Sequence, residues 1–269
     1  MKLSKLILFT AFILSLFGSS CSFNKSFFHP NPEFVATPPD ASSGYYQLGL
    51  KDSIHYLFYE RENPIASIFL LHGNAGTLNG WSEVADLYYQ AGYQVFIIDY
   101  PSFGNSTGEA TYKNIIRAGK LGALAFNNHQ KVKGTKRIIM GLSLGGNLAT
   151  MVAVEHPDCF DALVIEGAFD TQKGAARARL NRPFKFIGNL LVKNHIKAHE
   201  YLKNWTKPLL IIHSTEDEAC PFEMAERMYN SATSTNNKEL WTIKGPHLKG
   251  LSYDFDLYLI KIKNLFNKK

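Results

Sequence analysis

Six short apolar runs recur along the chain: "ASIFLLHG", "QVFIIDY", "RIIMG", "DALVIEG", "PLLIIHS" and "ELWTIK". Apolar stretches of this length, without polar alternation, mark strands buried on both faces. Segments with apolar residues at helical spacing separate or follow them: "GWSEVADLYYQAGY", "ATYKNIIRAGKLGALAFNNH", "LGGNLATMVAVEH", "PFEMAERMYNSA" and "YDFDLYLIKIKNLF". The third stops before Pro157, where the residue preceding proline disfavours helix. Ahead of the series, "YYQLGL" and "SIHYLFYER" read as an antiparallel pair turning near Asp52 and Ser53. The alternation predicts an α/β fold with a mostly parallel, doubly wound sheet. It breaks once: residues 168–207, between strands 6 and 7, have irregular helical character and read as a short inserted cap.

The first 44 residues follow neither period. Lys2 and Lys5 precede the apolar stretch Leu6 to Phe17, which at twelve residues is shorter than the roughly twenty needed to span a bilayer. This is the pattern of a signal peptide, residues 1–20. "GSSC", Gly18 to Cys21, resembles the lipobox of bacterial lipoproteins, with Gly18 where Leu is usual. The resemblance implies cleavage before Cys21, lipidation of Cys21, and membrane attachment through that lipid. Ser22 after the cysteine points by the same resemblance to the outer membrane or periplasm; the alternative is an ordinary secretory signal. Residues 21–44, with Pro30, Pro32, Pro38 and Pro39, read as a flexible tether. The folded domain is expected over 45–269.

Of the 269 residues, 45% are hydrophobic and 19% charged, which suits one globular domain with a substantial core. The net charge of +6 is scattered. No basic stripe interleaved with aromatics is present, so no nucleic-acid partner is expected, and the chain is expected to be a monomer. Of the remaining cysteines, the topology puts Cys159 at the N-terminal edge of the sheet and Cys220 at the C-terminal edge. A disulfide needs Cα atoms within about 7 Å, so two free, buried thiols are expected.

The candidate chemistry lies where strands end. "MGLSLGG", residues 140–146, holds Ser143 between a strand and a helix, the place of a nucleophile elbow. The glycines permit the tight turn and close helix–sheet packing, and the helix N-terminus favours negative charge at the serine. A serine hydroxyl needs a base. His247, in "KGPHLKG" after the last strand, lies at the same sheet edge; His29, His55, His72, His129, His156, His195, His199 and His213 fit the role less well. Among the acids that follow strand ends, Asp217 is preferred over Glu216 and Glu218, with Asp170 as substitute. The oxyanion of an acyl-transfer intermediate needs preorganised N–H donors. Leu144 supplies one. The other comes from "LLHGNAGTLNG", where Asn74 is preferred and Ala75 is second, with His72 holding the loop.

From about Tyr45 onward the chain resembles the alpha/beta-hydrolase superfamily, and more narrowly small bacterial hydrolases of serine-aminopeptidase-like type. The matching motifs are "HGNAG" at 72–76, "DYPSFGNSTG" at 99–108, "GLSLGG" at 141–146, "HSTEDEACPF" at 213–222 and "GPH" at 245–247. Ser102, Ser214 and Cys220 depart from the usual pattern. The resemblance implies the alpha/beta-hydrolase fold, the order Ser143, Asp217, His247, and Tyr100 either lining the pocket or serving structure. It implies a serine hydrolase that needs no cofactor and acts on a small-molecule ester, acyl or peptide substrate. The alternatives are a serine peptidase cutting from a free N-terminus, acyl transfer to an acceptor other than water, and a non-catalytic binding lipoprotein. Leu180, Phe184, Phe186, Ile187, Leu190, Leu191 and Ile196 in the cap are expected either to pack it onto the domain or to form an acyl pocket over Ser143.

Overall fold

A computed structural model of the protein describes residues 28–179 and 192–266. The strands are β1 (Ser42–Gln47), β2 (Ser53–Tyr59), β3 (Ser67–Leu71), β4 (Gln94–Ile98), β5 (Arg137–Leu142), β6 (Ala162–Glu166), β7 (Leu209–Ser214) and β8 (Lys238–Ile243). They form one sheet in the order β1-β2-β4-β3-β5-β6-β7-β8. β1 and β2 are antiparallel to each other, and β2 is antiparallel to β4. All other pairs are parallel. The leading antiparallel pair, the parallel remainder and the insertion between β6 and β7 agree with the sequence pattern.

The described helices are α1 (Leu78–Gln90), α2 (Tyr112–Asn128), α3 (Leu144–Glu155), α4 (Gln172–Arg179), α5 (Ala198–Leu202), α6 (Phe222–Ser231), α7 (Gly250–Tyr253) and α8 (Phe255–Asn264). Three start on a side-chain cap. The Thr77, Thr111 and Asp254 oxygens accept the N–H groups of Asn79, Asn114 and Leu257, satisfying first-turn donors that have no partner inside the helix.

Successive strand residues point to opposite faces, and β3 shows the consequence. Phe69 and Leu71 pack with α2, α3 and α6 on one face, while Ile68 and Leu70 pack with α1 and α8 on the other. Cys159 and Cys220 are both free and buried.

The β6–β7 insertion is held shut at its base. Oε1 of Gln172 accepts the N–H groups of His195 and Ile196 at 3.1 and 3.2 Å. Asp170 O accepts from Ala198 N at 2.9 Å. Ile196 is buried, so it packs the cap onto the domain. Leu180, Phe184, Phe186, Ile187, Leu190 and Leu191 lie outside the described residues, as do the signal segment and Cys21.

The expected tether through residue 44 differs from what is seen. β1 begins at Ser42, and residues 28–41 are tied down as a strap. Phe28 and Val35 are buried. Asn105 brackets Val35, accepting its N–H at 3.0 Å and donating to its carbonyl at 2.8 Å. Gly104 N donates to Asn31 O at 2.8 Å. Prolines spaced among polar residues read as coil, but two apolar side chains and backbone pairing are enough to hold an irregular segment.

Phe69 is fully buried and stacks against Phe126 and Phe160, with Phe96 at its edge. Phe69→Ala is expected to lower unfolding free energy by about 3–5 kcal/mol, read from urea denaturation followed by circular dichroism.

Candidate active site

Ser143 sits between β5 and α3 with φ 54° and ψ −116°, a left-handed φ that few residues other than glycine adopt. Its neighbours explain how the turn is possible. A Cβ on Gly145 would lie 2.0 Å from the Leu71 carbonyl oxygen, and one on Gly141 would lie 2.1 Å from the Gly145 carbonyl oxygen. Only glycine at these positions lets α3 press this closely on β3 and β5. The Ser143 N–H donates to Glu166 O at 2.8 Å, so the end of β6 also fixes the turn.

The three residues expected to act together are brought together. His247 Nε2 is 3.0 Å from Ser143 Oγ, and its Nδ1 is 2.6 Å from Asp217 Oδ2. The other Asp217 oxygen accepts N–H groups of Ala219 and Cys220 at 2.9 and 2.8 Å. Burial alone would raise the Asp217 carboxyl. The hydrogen bonds from His247 and Cys220 outweigh it and hold the group below its ordinary value. His247 retains 26% side-chain exposure, so the line of three opens to solvent at its serine end. Gly167, at φ +60°, lies under the imidazole: a Cβ there would meet His247 Cε1 at 3.0 Å.

The expected oxyanion loop borders the serine. A Cβ on Gly73 would come within 3.8 Å of Ser143 Cβ, and Asn74 follows it. Each carbonyl from residue 72 to residue 75 accepts a hydrogen bond. Tyr100 Oη donates to His72 O at 2.8 Å, and His72 Nδ1 donates to Gly73 O at 2.7 Å. His29 N donates to Asn74 O at 3.0 Å, and Trp81 Nε1 donates to Ala75 O at 2.9 Å. In a trans peptide the N–H points opposite to the carbonyl, so clamping the carbonyls also orients the N–H groups of Asn74 and Ala75. A carbonyl cannot donate, so His72 carries its proton on Nδ1. Burial lowers its basicity and keeps it neutral. Tyr100 is fully buried and structural. On the other side of the serine, Leu144 N opens α3, where first-turn N–H groups lack intrahelical partners.

The remaining candidates lie elsewhere. Asp170, the substitute acid, pairs with Arg227 at 2.8 Å and accepts from Thr171 N, so it braces the cap against α6. His195 stacks on Tyr112, and His199 Nδ1 lies 3.4 Å from Asp170 O. His129 and His156 end helices α2 and α3. His55 lies 3.7 Å from Asp99. Among the described histidines only His247 is hydrogen-bonded to the Ser143 hydroxyl. Glu216 is exposed and accepts Gly245 N at 2.9 Å, and Ser214 Oγ donates to Gly245 O. Ser102, in a glycine position, takes φ 67° and donates its hydroxyl to Gly108 O.

Sequence reasoning assigned no role to three residues of this edge. Trp81 holds the loop after β3 through its bond to Ala75 O. His213 Nε2 donates to Cys220 O at 2.6 Å and stiffens the loop that carries Asp217. Glu166 is buried; it accepts Gly250 N at 2.7 Å and Tyr258 Oη at 3.0 Å, tying the His247 loop to the strand that fixes the elbow. The available signal for His213 and Glu166 was a polar residue at the end of an apolar strand.

The family model described as the alpha/beta hydrolase fold matches residues 66–191. Among solved structures, the esterase Pf2001 of Pyrococcus furiosus superposes with a TM-score of 0.72 at 16% identity, over 89% of this chain and 98% of that one. The chain has the alpha/beta-hydrolase fold. The chain is 24% identical to YfhR of Salmonella typhi over 84% of its own length and 82% of YfhR. It is 29% identical to the lysophosphatidylserine lipase ABHD12 of Rattus norvegicus over 70% of its own length and 50% of that protein.

Burial pushes the Glu166 carboxyl up to about 7 against its two hydrogen bonds. The unfolded chain would release this proton near 4.5, the ordinary value, so stability falls as pH rises between the two. Glu166→Gln removes that dependence. Between pH 4.5 and 7.5 the wild type is expected to lose about 3 kcal/mol relative to the variant, measured by urea denaturation at both pH values.

Proposed function

We propose that this protein is a serine hydrolase that cleaves an ester or related acyl bond. The observation that carries the reading is the hydrogen-bonded line from Ser143 Oγ through His247 to Asp217, with the serine on a strained turn at a helix N-terminus. His247 takes the Ser143 proton as the oxygen attacks the acyl carbon. Asp217 keeps the imidazole in the tautomer with hydrogen on Nδ1 and stabilises the imidazolium that forms. The N–H groups of Leu144 and Asn74 receive the oxyanion. His247 then protonates the leaving group, and an acyl-enzyme remains. Water enters by the same side, gives its proton to His247 and releases the acid. The esterase named among the solved structures and the lipase among the relatives support acyl chemistry over other uses of the fold.

The protein is further proposed to be exported and held at a bacterial membrane through a lipid on Cys21. Incorporation of labelled palmitate is expected in wild type and lost in Cys21→Ala; equal incorporation overturns the anchor.

A fluorophosphonate probe is expected to label wild type and not Ser143→Ala. A folded wild type that fails to label overturns the hydrolase reading and leaves a binding protein. Asp217→Asn is expected to lower kcat by about 10³–10⁴-fold, with binding little changed. A panel of nitrophenyl esters and aminoacyl anilides separates the chemistries: turnover of the esters alone supports an esterase, and preference for anilides with a free amine makes it a peptidase.

A further inference from the structure

The strap changes where the site can sit relative to a membrane. His29 N bonds Asn74 O and His29 bridges to Ala75, so the chain enters the fold at the loop after β3, the loop whose Gly73 borders Ser143. Phe28 is buried and packs edge-on against Tyr112 at 4.6 Å between ring centres, which fixes this entry point. Phe28 lies only seven positions after Cys21. Fully extended, this stretch reaches roughly 25 Å, about a third of the reach a tether to residue 44 would have had. Entry at the opposite edge of the sheet would have turned the serine away from the anchor; entry here turns it toward it. The same strap presents Phe34, 77% exposed, whose carbonyl accepts from Asn79 Nδ2 at the start of α1. An exposed aromatic ring on the strap that meets this loop suits the apolar boundary of a bilayer.

We propose that the mouth of the Ser143 site rests on the bilayer and that its substrates are amphiphilic carboxylic esters drawn from that surface. This deepens the hydrolase reading and rests on it and on the lipid at Cys21. Tethering at this length keeps the hydroxyl among membrane-borne esters, which raises their effective concentration without any new contact.

The full lipidated chain is reconstituted in vesicles of phosphatidylcholine and phosphatidylglycerol, beside a variant with twenty Gly/Ser residues inserted after Asn24. A fluorophore on Phe34→Cys is compared with one on Lys133→Cys, an exposed position beside β5 at the far edge of the sheet. Headgroup spin-labelled lipid is expected to quench the first and not the second, and the insertion is expected to relieve the quenching. The insertion is also expected to slow hydrolysis of a long-chain nitrophenyl ester in the same vesicles by about fivefold, through lost effective concentration, while leaving nitrophenyl acetate hydrolysis unchanged. Equal quenching at both positions, or a vesicle-ester rate untouched by the insertion, overturns the proposal. Failure of the hydrolase reading looks different: fluorophosphonate labelling and both ester rates vanish, and the substrate half of the proposal falls with them, whichever site is quenched.

Discussion

The approach of α3 to the ends of β3 and β5 is the constraint from which the rest follows. Gly145 rests so close to the Leu71 carbonyl that no side chain fits between them. That closeness forces the chain through a left-handed φ at Ser143 and sets the helix end, the hydroxyl and the loop after β3 around one point. Were α3 to withdraw far enough to admit a methyl group, the serine could relax, but the two expected oxyanion donors would move apart. Strain at this residue and the meeting of hydroxyl, helix end and loop at one point are one fact.

The partners of the serine arrive from strands further along the sheet and need separate means of being held. Asp217 depends on the loop that His213 stiffens from below. His247 lies on a loop fixed at Gly245 by Ser214 and Glu216, and at Gly250 by Glu166. Glu166 is the link between the two halves. Its main-chain oxygen receives the Ser143 N–H and its carboxyl receives Gly250, so elbow and histidine loop share one residue. A buried carboxyl is costly, and the upward shift of its ionisation expresses that cost. It is tolerated because both oxygens are satisfied and because an apolar residue there would leave the Gly250 N–H unpaired.

Strands, helices and their order were legible because burial on two faces and helical spacing leave a periodic record. The line of Ser143, Asp217 and His247 was legible for a different reason. The parallel strands all end at one edge, and a serine after β5, an acid after β7 and a histidine after β8 lie along it. The docked strap was not legible, since its hold comes from two isolated apolar residues and from bonds of its main chain to the Asn105 side chain and the Gly104 N–H, some seventy residues away. The roles of Glu166, His213 and Trp81 were hidden for the same cause. Each depends on which carbonyl or N–H lies opposite in space, and sequence records that only as a polar or aromatic residue in an unexpected place.

The oxyanion loop shows how such hidden contacts combine. A glycine-containing loop can approach a reacting centre closely, yet the freedom that allows this also lets its N–H groups turn away. Here four consecutive carbonyls are captured by four different parts of the molecule: the loop after β4, the loop's own histidine, the strap and α1. None of the four donors has to touch a substrate. Together they oppose rotation of each peptide plane, so the N–H groups are aimed before any charge develops, which is the condition under which such donors lower a barrier most. The strap belongs to this group of restraints, and that makes residues 28–41 part of what shapes the site.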